Sequence, residues 1–374
     1  MKRPSLTVGI EEEFQIIDPE SRELRSHIAQ IFSQGHGPLL GKLKHELHQP
    51  VIEVGTGVCR TIAEARSEIF AQRASLAVLA RENGLRIAAA GTHPFTHWGN
   101  VAISRGNQRY ERLISDLQMV ARANLIFGLH VHVGVEDREL QIAIMNQARY
   151  FLPHILALSV NSPFWLGRDT GWMSYRCKVF DKFPRTNIPD FFTGWAEYQE
   201  FVELLVKTNC IIDGGQIWWD VRPHHVYDTL EYRICDIPLR AEETITIAAL
   251  FQAITAKLWR LRAKNLTFRP YRRSLIMENK WRAARWGIRG LLIDFGTQRE
   301  VPYTDLLEEL LEFVDDVVDA LGSRKEVEYI QVIASEGTSA DRQLRVFAET
   351  GHLHAVVDHL AAETVAGVPE VVLD

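Results

Sequence analysis

Leu6-Thr7-Val8-Gly9-Ile10-Glu11-Glu12-Glu13-Phe14-Gln15-Ile16-Ile17 is an apolar segment that contains three consecutive glutamates, and Asp18-Pro19 follows it. Apolar segments of this length that end at Asp and Pro are typical of β-strands closed by a turn. Side chains two residues apart on a strand share a face, so Glu11 and Glu13 lie side by side and Glu12 points the other way. Two carboxylates that close repel each other unless a cation lies between them. The segment therefore predicts either a solvated edge strand or a cation site on a sheet.

Three further segments carry functional groups at the same spacing of two residues. They are Gly128-Leu129-His130-Val131-His132-Val133-Gly134, Trp219-Asp220-Val221-Arg222-Pro223 and Glu231-Tyr232-Arg233. On strands, each pair of polar side chains would share one face. Structural histidines and a ladder of ion pairs across neighbouring strands explain these pairs as well as a ligand site does.

Another acidic pair, Glu46 and Glu53, lies in His45-Glu46-Leu47-His48-Gln49-Pro50-Val51-Ile52-Glu53. The odd spacing keeps the two carboxylates off one face of a straight strand. Pro50 can break the segment, however, and allow both side chains to reach one site. Ordinary placement on the surface is the alternative.

Basic and aromatic residues alternate in Asn279-Lys280-Trp281-Arg282-Ala283-Ala284-Arg285-Trp286-Gly287. Lys280 or Arg285 could neutralise a phosphate, and a tryptophan could stack on a base. A solvated basic helix is the simpler interpretation.

The remaining pattern indicates an α+β protein. Thr61 to Asn83 has a capping signature and one apolar face, and residues 107–123, 137–159, 195–208 and 241–264 also have helical periodicity. After Pro302 the pattern predicts a helix that stops at Gly322 and two more short helices. Residues 161–193 have no periodicity but many aromatic residues, which predicts a substrate loop or lid. Neither the dinucleotide-binding glycine pattern nor the P-loop pattern occurs in the chain.

Composition restricts the function classes further. The 374 residues carry a formal charge of −6, with 46% hydrophobic and 24% charged residues, so global attraction to nucleic acid or to anionic membranes is not expected. The four cysteines are widely spaced, and no apolar run is long enough to span a bilayer. We expect a cytoplasmic protein in which residues 1–374 form a single catalytic domain.

The combination of these patterns favours a catalytic or ligand-binding site over unrelated polar residues on the surface. Repeated pairs of acid, imidazole or guanidinium groups at the same spacing are far less expected by chance than one pair. Carboxylates with one imidazole suit Mg²⁺ or Mn²⁺, whereas zinc would favour Cys and more His. Such ions with arginines around them support phosphoryl transfer without a P-loop, because its transition state mainly needs charge neutralisation and alignment.

The same segments resemble a known family, the type 2 glutamate-cysteine ligases, also described as YbdK-like carboxylate-amine ligases. Five segments match in order and spacing over residues 6–360: Gly9 to Gln15, Gly91-Thr92-His93-Pro94-Phe95, Gly128 to Gly134, Trp219 to Pro223 and Glu231 to Arg233. The resemblance implies a glutamine-synthetase-like fold, in which a curved, mainly antiparallel sheet holds metal ions and ATP on its concave face. Helices would pack on the outer face, and residues 302–374 would be a helical C-terminal part.

The resemblance also implies residue roles. The metal ligands would be Glu11, Glu13, Glu46, Glu53, His130 and Glu231. The catalytic and ATP-binding set would be Arg233 and Arg285, with His132 as a phosphate-contact candidate and Lys280 where some relatives carry Arg. The substrate carboxylate would contact Arg176, and Arg222 is a second candidate for that contact.

The function implied by the resemblance is ATP-dependent formation of an amide through an acyl phosphate, with glutamate and cysteine as the first expected substrates. Two alternatives stay open at this point. One is a metal- and ATP-dependent kinase of guanidinium groups or amines, and the other is a non-catalytic sensor of amino acids or nucleotides on the same scaffold. The sequence leaves the oligomeric state open, a homodimer included.

Overall fold

In a computed structural model, which describes residues 2–26 and 37–369, a seven-stranded antiparallel sheet forms the centre of the protein. Its strands are β1 (Val8–Ile17), β2 (Leu43–His45), β3 (Val51–Gly55), β4 (Arg86–Ala88), β5 (Gly128–Gly134), β10 (Val221–Pro223) and β11 (Thr229–Asp236). Three two-stranded sheets are formed by β6 (Phe164–Trp165) with β7 (Arg168–Asp169), β8 (Thr186–Asn187) with β9 (Trp218–Trp219), and β12 (Leu291–Asp294) with β13 (Arg299–Pro302). The strand order of the main sheet is β10-β11-β5-β1-β3-β2, and β4 pairs with the end of β1.

Helices cover most of the rest of the described chain. They are α1 (Ile62–Glu82), α2 (Gln108–Leu117), α3 (Met119–Arg122), α4 (Arg138–Ala148), α5 (Leu152–Ser159), α6 (Tyr175–Phe180), α7 (Trp195–Lys207), α8 (Ala241–Ala263), α9 (Arg273–Trp286), α10 (Tyr303–Leu321), α11 (Arg324–Glu328), α12 (Ile330–Glu336), α13 (Ser339–Thr350) and α14 (Leu353–Thr364). The mixed helix and antiparallel-sheet architecture predicted from the sequence is confirmed.

Capping and proline positions explain where several helices begin. Thr61 Oγ1 accepts a hydrogen bond from the backbone N–H of Glu64 at 3.1 Å, so α1 starts where its capping signature predicts. The helix predicted over residues 137–159 is divided into α4 and α5 by a 3₁₀ turn at Arg149–Phe151. Pro153 lies in the first turn of α5, where its missing N–H costs no intrahelical hydrogen bond.

The two faces of β1 have opposite environments. Val8 and Ile10 are buried in one apolar cluster with residues of α1 and α8. Glu12 points to the same side, where both of its carboxylate oxygens accept hydrogen bonds from Arg73 of α1, Nε to Oε2 at 3.0 Å and Nη2 to Oε1 at 2.5 Å. The helices therefore pack on this face, and the face with Glu11 and Glu13 is left for the site.

The segment predicted as a substrate loop or lid, residues 161–193, contains β6, β7, α6 and β8. Its first half is anchored to β11 by the carboxylate of Asp236. That carboxylate accepts hydrogen bonds from the backbone N–H of Asn161 at 2.8 Å and from the hydroxyls of Ser162 and Ser174 at 2.7 and 2.8 Å. These contacts fix the direction in which α6 projects its side chains.

The C-terminal helices pack back onto the sheet. α10 ends at Gly322, whose left-handed φ of 69° favours glycine, and four further helices follow where the sequence pattern suggested two. Val356, Val357 and Leu360 of α14 are buried against a cluster that includes Ile17 of β1. The chain after residue 302 therefore completes the core under the β1–β4 edge.

The four cysteines are free thiols, three of them buried and Cys210 exposed. Among the described helices, none has the length and apolar character needed to cross a bilayer.

Candidate active site

The register of the main sheet brings the predicted acidic and imidazole residues into adjoining positions. In antiparallel pairing, Glu11 lies opposite His130, and Glu13 lies opposite Glu53. Glu231 of β11 lies opposite His132 of β5. Because neighbouring strands are about 4.8 Å apart, side chains that share a face in these positions are within reach of a common ion.

The side chains form three groups in which carboxylate oxygens and imidazole nitrogens lie within 4.8 Å of one another. The groups are Glu11, Glu53 and His130; Glu11, His132 and Glu231; and Glu13, Glu46 and Glu53. All six residues proposed as metal ligands belong to them, together with His132. Oxygen donors with few imidazoles are the donor set of Mg²⁺ and Mn²⁺, so the residues present fit such ions.

The carboxylates of the third group repel one another. Burial raises the pKa of Glu46 well above its usual value, and the charges of Glu53 and Glu13 raise it further. Burial likewise raises the pKa of Glu13 and of Glu53. Carboxyl groups in this position favour a proton or a cation between them, which is the electrostatic signature of a cation site.

The two histidines have different surroundings. Burial and the nearby Arg233 lower the pKa of His130 to about 4, so its imidazole is neutral at neutral pH and has a lone pair available to a metal ion. Burial acts against protonation of His132 as well, but the Glu11 carboxylate, 3.6 Å from Nε2, raises the pKa of His132. The opposite ring nitrogen of His132 is 3.1 Å from the hydroxyl of Thr229.

Two guanidinium groups hold Glu231. Arg222 Nε donates to Glu231 Oε2 at 2.7 Å, and Arg233 donates to Oε1. Burial alone would raise the pKa of Glu231, but the two positive charges hold that pKa well below its usual value. The ion-pair ladder considered from the sequence therefore exists between Glu231 and the two arginines. Asp220, two residues before Arg222, pairs instead with Lys280.

Arg176, at the start of α6, lies beside Gly128, the first residue of β5. Its guanidinium donates to the backbone carbonyls of Ile234 and Arg233 at 3.3 and 3.4 Å. Gly128 makes this position available, because a Cβ there would lie 2.4 Å from Arg176 Nη2. The backbone N–H of Gly128 also donates to Glu13 Oε2 at 2.5 Å.

A pocket of about 450 Å³ opens above these groups, a volume typical of sites for small-molecule substrates. Its floor contains Glu11, Glu13, Glu53, His130 and Glu231, and its walls include Glu46, Arg176, Arg222 and Arg233. Phe180, Phe183 and Trp218 supply aromatic surface. Acidic, basic and aromatic walls together suit substrates that combine phosphates with an organic group.

Three predicted residues, His132, Lys280 and Arg285, lie outside the set of described residues that line this pocket. His132 still lies beside Glu11, 3.6 Å from its carboxylate, but Lys280 and Arg285 do not reach the acidic groups. Lys280 is buried, and its ammonium donates to Asn187 Oδ1 and Asp220 Oδ2, both at 2.8 Å. Arg285 lies near Gly171 and stacks on Trp286, with 5.6 Å between its Cζ and the ring centroid. The structure therefore does not bring these two side chains to the acidic groups.

Other residues of the pocket were missed by the sequence analysis. Lys44 Nζ lies 2.6 Å from Glu11 Oε1 and 2.8 Å from Glu53 Oε1. Tyr110 and Arg109 line the same wall; the Tyr110 hydroxyl donates to the carbonyl of His45, and Arg109 donates to that of Gly215. The spacing of two residues between Lys44 and Glu46 is the one signal in the sequence for Lys44, and it does not identify the partners Glu11 and Glu53.

Comparison with known sequences identifies related proteins over nearly the whole chain. The family model described as "Glutamate-cysteine ligase family 2" matches residues 7–359. A protein of Solibacter usitatus named "Putative glutamate--cysteine ligase 2" is 61% identical over 366 residues, which are 98% of this chain and 95% of that protein. A protein of the same name from Roseiflexus castenholzii is 55% identical, over 97% of this chain and 96% of its own length.

Two solved structures share the fold at low sequence identity. The glutamate-cysteine ligase of Francisella tularensis in complex with AMP has a TM-score of 0.69 at 12% identity, covering 99% of this chain and 91% of its own. A bifunctional glutathione synthetase from Pasteurella multocida has a TM-score of 0.68 at 15% identity, covering 96% of this chain and 52% of its own.

Proposed function

Because the chain belongs to glutamate-cysteine ligase family 2, it is an ATP-dependent carboxylate-amine ligase, and we propose that it joins the side-chain carboxylate of glutamate to the amine of cysteine. One observation supports a ligase site. The three clusters of carboxylate and imidazole side chains lie together with Arg176 and Arg233 around one pocket. A phosphoryl-transfer site without a P-loop needs this combination of cation ligands and guanidinium groups.

In the proposed reaction, the γ-phosphoryl group of ATP passes to the substrate carboxylate and forms an acyl phosphate with release of ADP. The amine then attacks the acyl carbon, the amide bond forms, and inorganic phosphate leaves. Mg²⁺ or Mn²⁺ bound by Glu11, Glu13, Glu46, Glu53, His130 and Glu231 would supply charge neutralisation for the phosphates.

Side chains of the pocket would contact the substrates and keep water out. Arg233 is placed to contact phosphate oxygens, since its Nε is buried without a hydrogen-bond partner in the structure. Arg176, whose Nε is likewise without a partner, is placed to bind the carboxylate of the acid substrate. Phe180, Phe183 and Trp218 would limit the access of water, which would otherwise hydrolyse the acyl phosphate.

Arg222 takes a supporting role in this proposal. Its guanidinium is already engaged by Glu231 and by the carbonyls of Gly215 and Ile217, at 3.0 and 2.5 Å. We therefore assign Arg222 to orienting Glu231 rather than to contact with substrate. Arg285 and Lys280 have no part in phosphate contact in this arrangement.

The test is a screen for ADP release by the purified protein with Mg²⁺ or Mn²⁺, using amino acids singly and in pairs. We expect ADP release with glutamate and cysteine together, and an amide product by mass spectrometry. A stable phosphorylated product without an amide would indicate a kinase instead. Binding of the same compounds without ADP release would indicate a sensor, and ADP release with another pair would replace the proposed substrates.

A further inference from the structure

The ammonium group of Lys44 lies between two carboxylates on the floor of the pocket. Its Nζ is 2.6 Å from Glu11 Oε1 and 2.8 Å from Glu53 Oε1, and the Glu11 contact is also a hydrogen bond. Lys44 is on β2, directly opposite Glu53 of β3. A single positive charge therefore balances two acidic residues that would otherwise repel each other.

The same two carboxylates belong to the first of the three cation groups, with His130. A divalent ion that takes oxygens from Glu11 and Glu53 would stand close to a positive ammonium that is held by the same two carboxylates. Two cations this close repel each other, so a bound ion disfavours the position that Lys44 takes between the carboxylates.

We propose that Lys44 is an internal counter-cation: it occupies the Glu11–Glu53 position when metal is absent, and a divalent ion displaces it on binding. This inference rests on the metal dependence in the proposed function. The displacement needs little rearrangement, because the side chain of Lys44 is 51% exposed and β2 lies at the edge of the sheet, paired with β3. A four-carbon stem with free rotation can carry the ammonium along the pocket wall.

The chain supplies a matched control in Lys42. Its Nζ is 2.6 Å from Glu68 Oε2, an ion pair of the same length just before β2. Glu68 is outside the three cation groups. Replacing Lys42 removes the same formal charge from the same region without opening a position for metal.

The experiment measures Mn²⁺ binding to the full chain by electron paramagnetic resonance of free Mn²⁺, without ATP or amino acids. For Lys44→Met we expect the tightest site to gain affinity by about fivefold, because the ion no longer displaces two ion pairs. Lys42→Met should bind Mn²⁺ as the wild type does. Lys44→Arg, which keeps a cation able to pair with both carboxylates, should also stay near the wild type.

Thermal unfolding gives a second readout independent of activity. Metal-free Lys44→Met should melt below metal-free Lys42→Met, and Mn²⁺ should raise its melting temperature more than that of the wild type. Equal or weaker Mn²⁺ affinity in Lys44→Met would overturn the displacement proposal while leaving the ligase proposal intact. Failure of the wild type and of all three variants to bind Mn²⁺ would overturn the metal assignment itself and this inference with it.

Discussion

At the scale of single residues, three consecutive glutamates have three different environments. Burial alone would raise the pKa of Glu11, but His130 and His132 hold that pKa well below its usual value. Glu12 is buried on the helical face and paired with Arg73. Glu13 faces the site again, where burial raises its pKa. Alternation along one strand is sufficient to produce this division of roles.

Replacing Glu11 tests the proposed metal site directly. Glu11 belongs to two of the three cation groups, so Glu11→Gln removes a charged oxygen donor from both. We expect metal-dependent ATP turnover to fall by at least about a hundredfold with the fold retained, since the transition state loses its charge neutralisation. ADP release and far-UV circular dichroism measure the two effects.

The matched control for this change is Glu68→Gln, which alters an acid paired with Lys42 outside the cation groups. It should retain wild-type turnover. Near-normal turnover of Glu11→Gln would refute the assignment of Glu11 as a ligand.

Gly128 is the second residue with a specific expected effect. An added Cβ would lie 2.4 Å from Arg176 Nη2, so in Gly128→Ala the guanidinium must move while the strand can stay in place. We expect the KM for the acid substrate to rise by about tenfold or more, because a shift of about 1 Å is costly in a positioned site. Steady-state kinetics with the acid substrate varied provide the measurement.

Gly9→Ala is the control for Gly128→Ala. The new Cβ would lie at an ordinary contact distance, 3.6 Å from the Cβ of His132. Its KM should stay within about twofold of the wild type. A rise in KM of the same size in both variants would contradict the specific role of Gly128.

The residues of the site also differ in whether the sequence alone predicts their positions. The alternation in β1, β5 and β11 was sufficient to place Glu11 with Glu13 and His130 with His132 on one face of each strand, since strand geometry places residues two apart on one face. Lys44 was missed because its partners come from two other strands. Spacing along the chain contains no information about which strands become neighbours.

At the scale of secondary-structure elements, Arg73 joins α1, β1, α8 and α14. Besides its pair with Glu12, its Nη1 donates to the carbonyls of Leu239 and Thr364 at 2.8 and 3.2 Å. Thr244 of α8 donates to Glu12 Oε1 at 2.6 Å. The side chain of Arg73 is 0% exposed and that of Glu12 is 2% exposed, so neither charge is screened by water.

Arg73→Met should therefore be severely destabilising. It leaves the charge of Glu12 buried without its partner, which costs about 3–5 kcal/mol of unfolding free energy. Urea unfolding followed by circular dichroism measures this loss. The double variant Glu12→Leu with Arg73→Met should recover part of it, because no uncompensated charge remains.

Arg66→Met is the control on the same helix. Arg66 Nη2 lies 3.6 Å from Glu242 Oε1, and both side chains are partly exposed. Exposed pairs contribute about 1 kcal/mol or less, so this variant should stay close to the wild type. Comparable losses of unfolding free energy in Arg66→Met and Arg73→Met would contradict a larger contribution from the buried pair of Arg73 and Glu12.

Elements with a strong periodic pattern were predicted well, and those fixed by tertiary contacts were not. α1, α7 and α8 match their predicted extents within a few residues, because each has capping or apolar periodicity along its length. The helix expected over residues 107–123 is broken at Gln118, whose φ of 47° interrupts it. The first half of residues 161–193 depends on Asp236, which is distant in sequence.

At the scale of the whole molecule, we propose that residues 1–374 form one cooperative domain. Arg342 of α13 donates to Glu243 of α8 at 2.5 Å, and Arg240 donates to Glu363 of α14 at 2.6 Å. Together with the apolar cluster of Val356, these contacts join the C-terminal helices to the sheet. A part of the chain with such contacts should not unfold by itself.

Leu360→Ala tests this cooperativity. Leu360 is fully buried against the β1–β4 edge, so truncation should lower the unfolding free energy by about 2–5 kcal/mol. All nine tryptophans precede residue 287, so their fluorescence reports on the chain before the C-terminal helices. Both tryptophan fluorescence and far-UV circular dichroism should follow one shared transition that moves to lower urea.

The control is Leu275→Ala on α9, where the side chain is 41% exposed and should contribute little. Separate transitions for the two probes in Leu360→Ala would indicate that the C-terminal helices unfold independently. That result would divide the chain into two units.

The alternation along β1 also limits the kinds of genetic change that this protein can tolerate. A point mutation in its ten residues alters one side chain, whereas the in-frame loss of one codon between Gly9 and Glu13 moves part of the strand to the opposite face. An acid meant for the pocket would then enter the apolar layer, and an apolar residue would face the substrates. A change in the length of this strand therefore disturbs both of its faces at once, whereas a substitution disturbs only one.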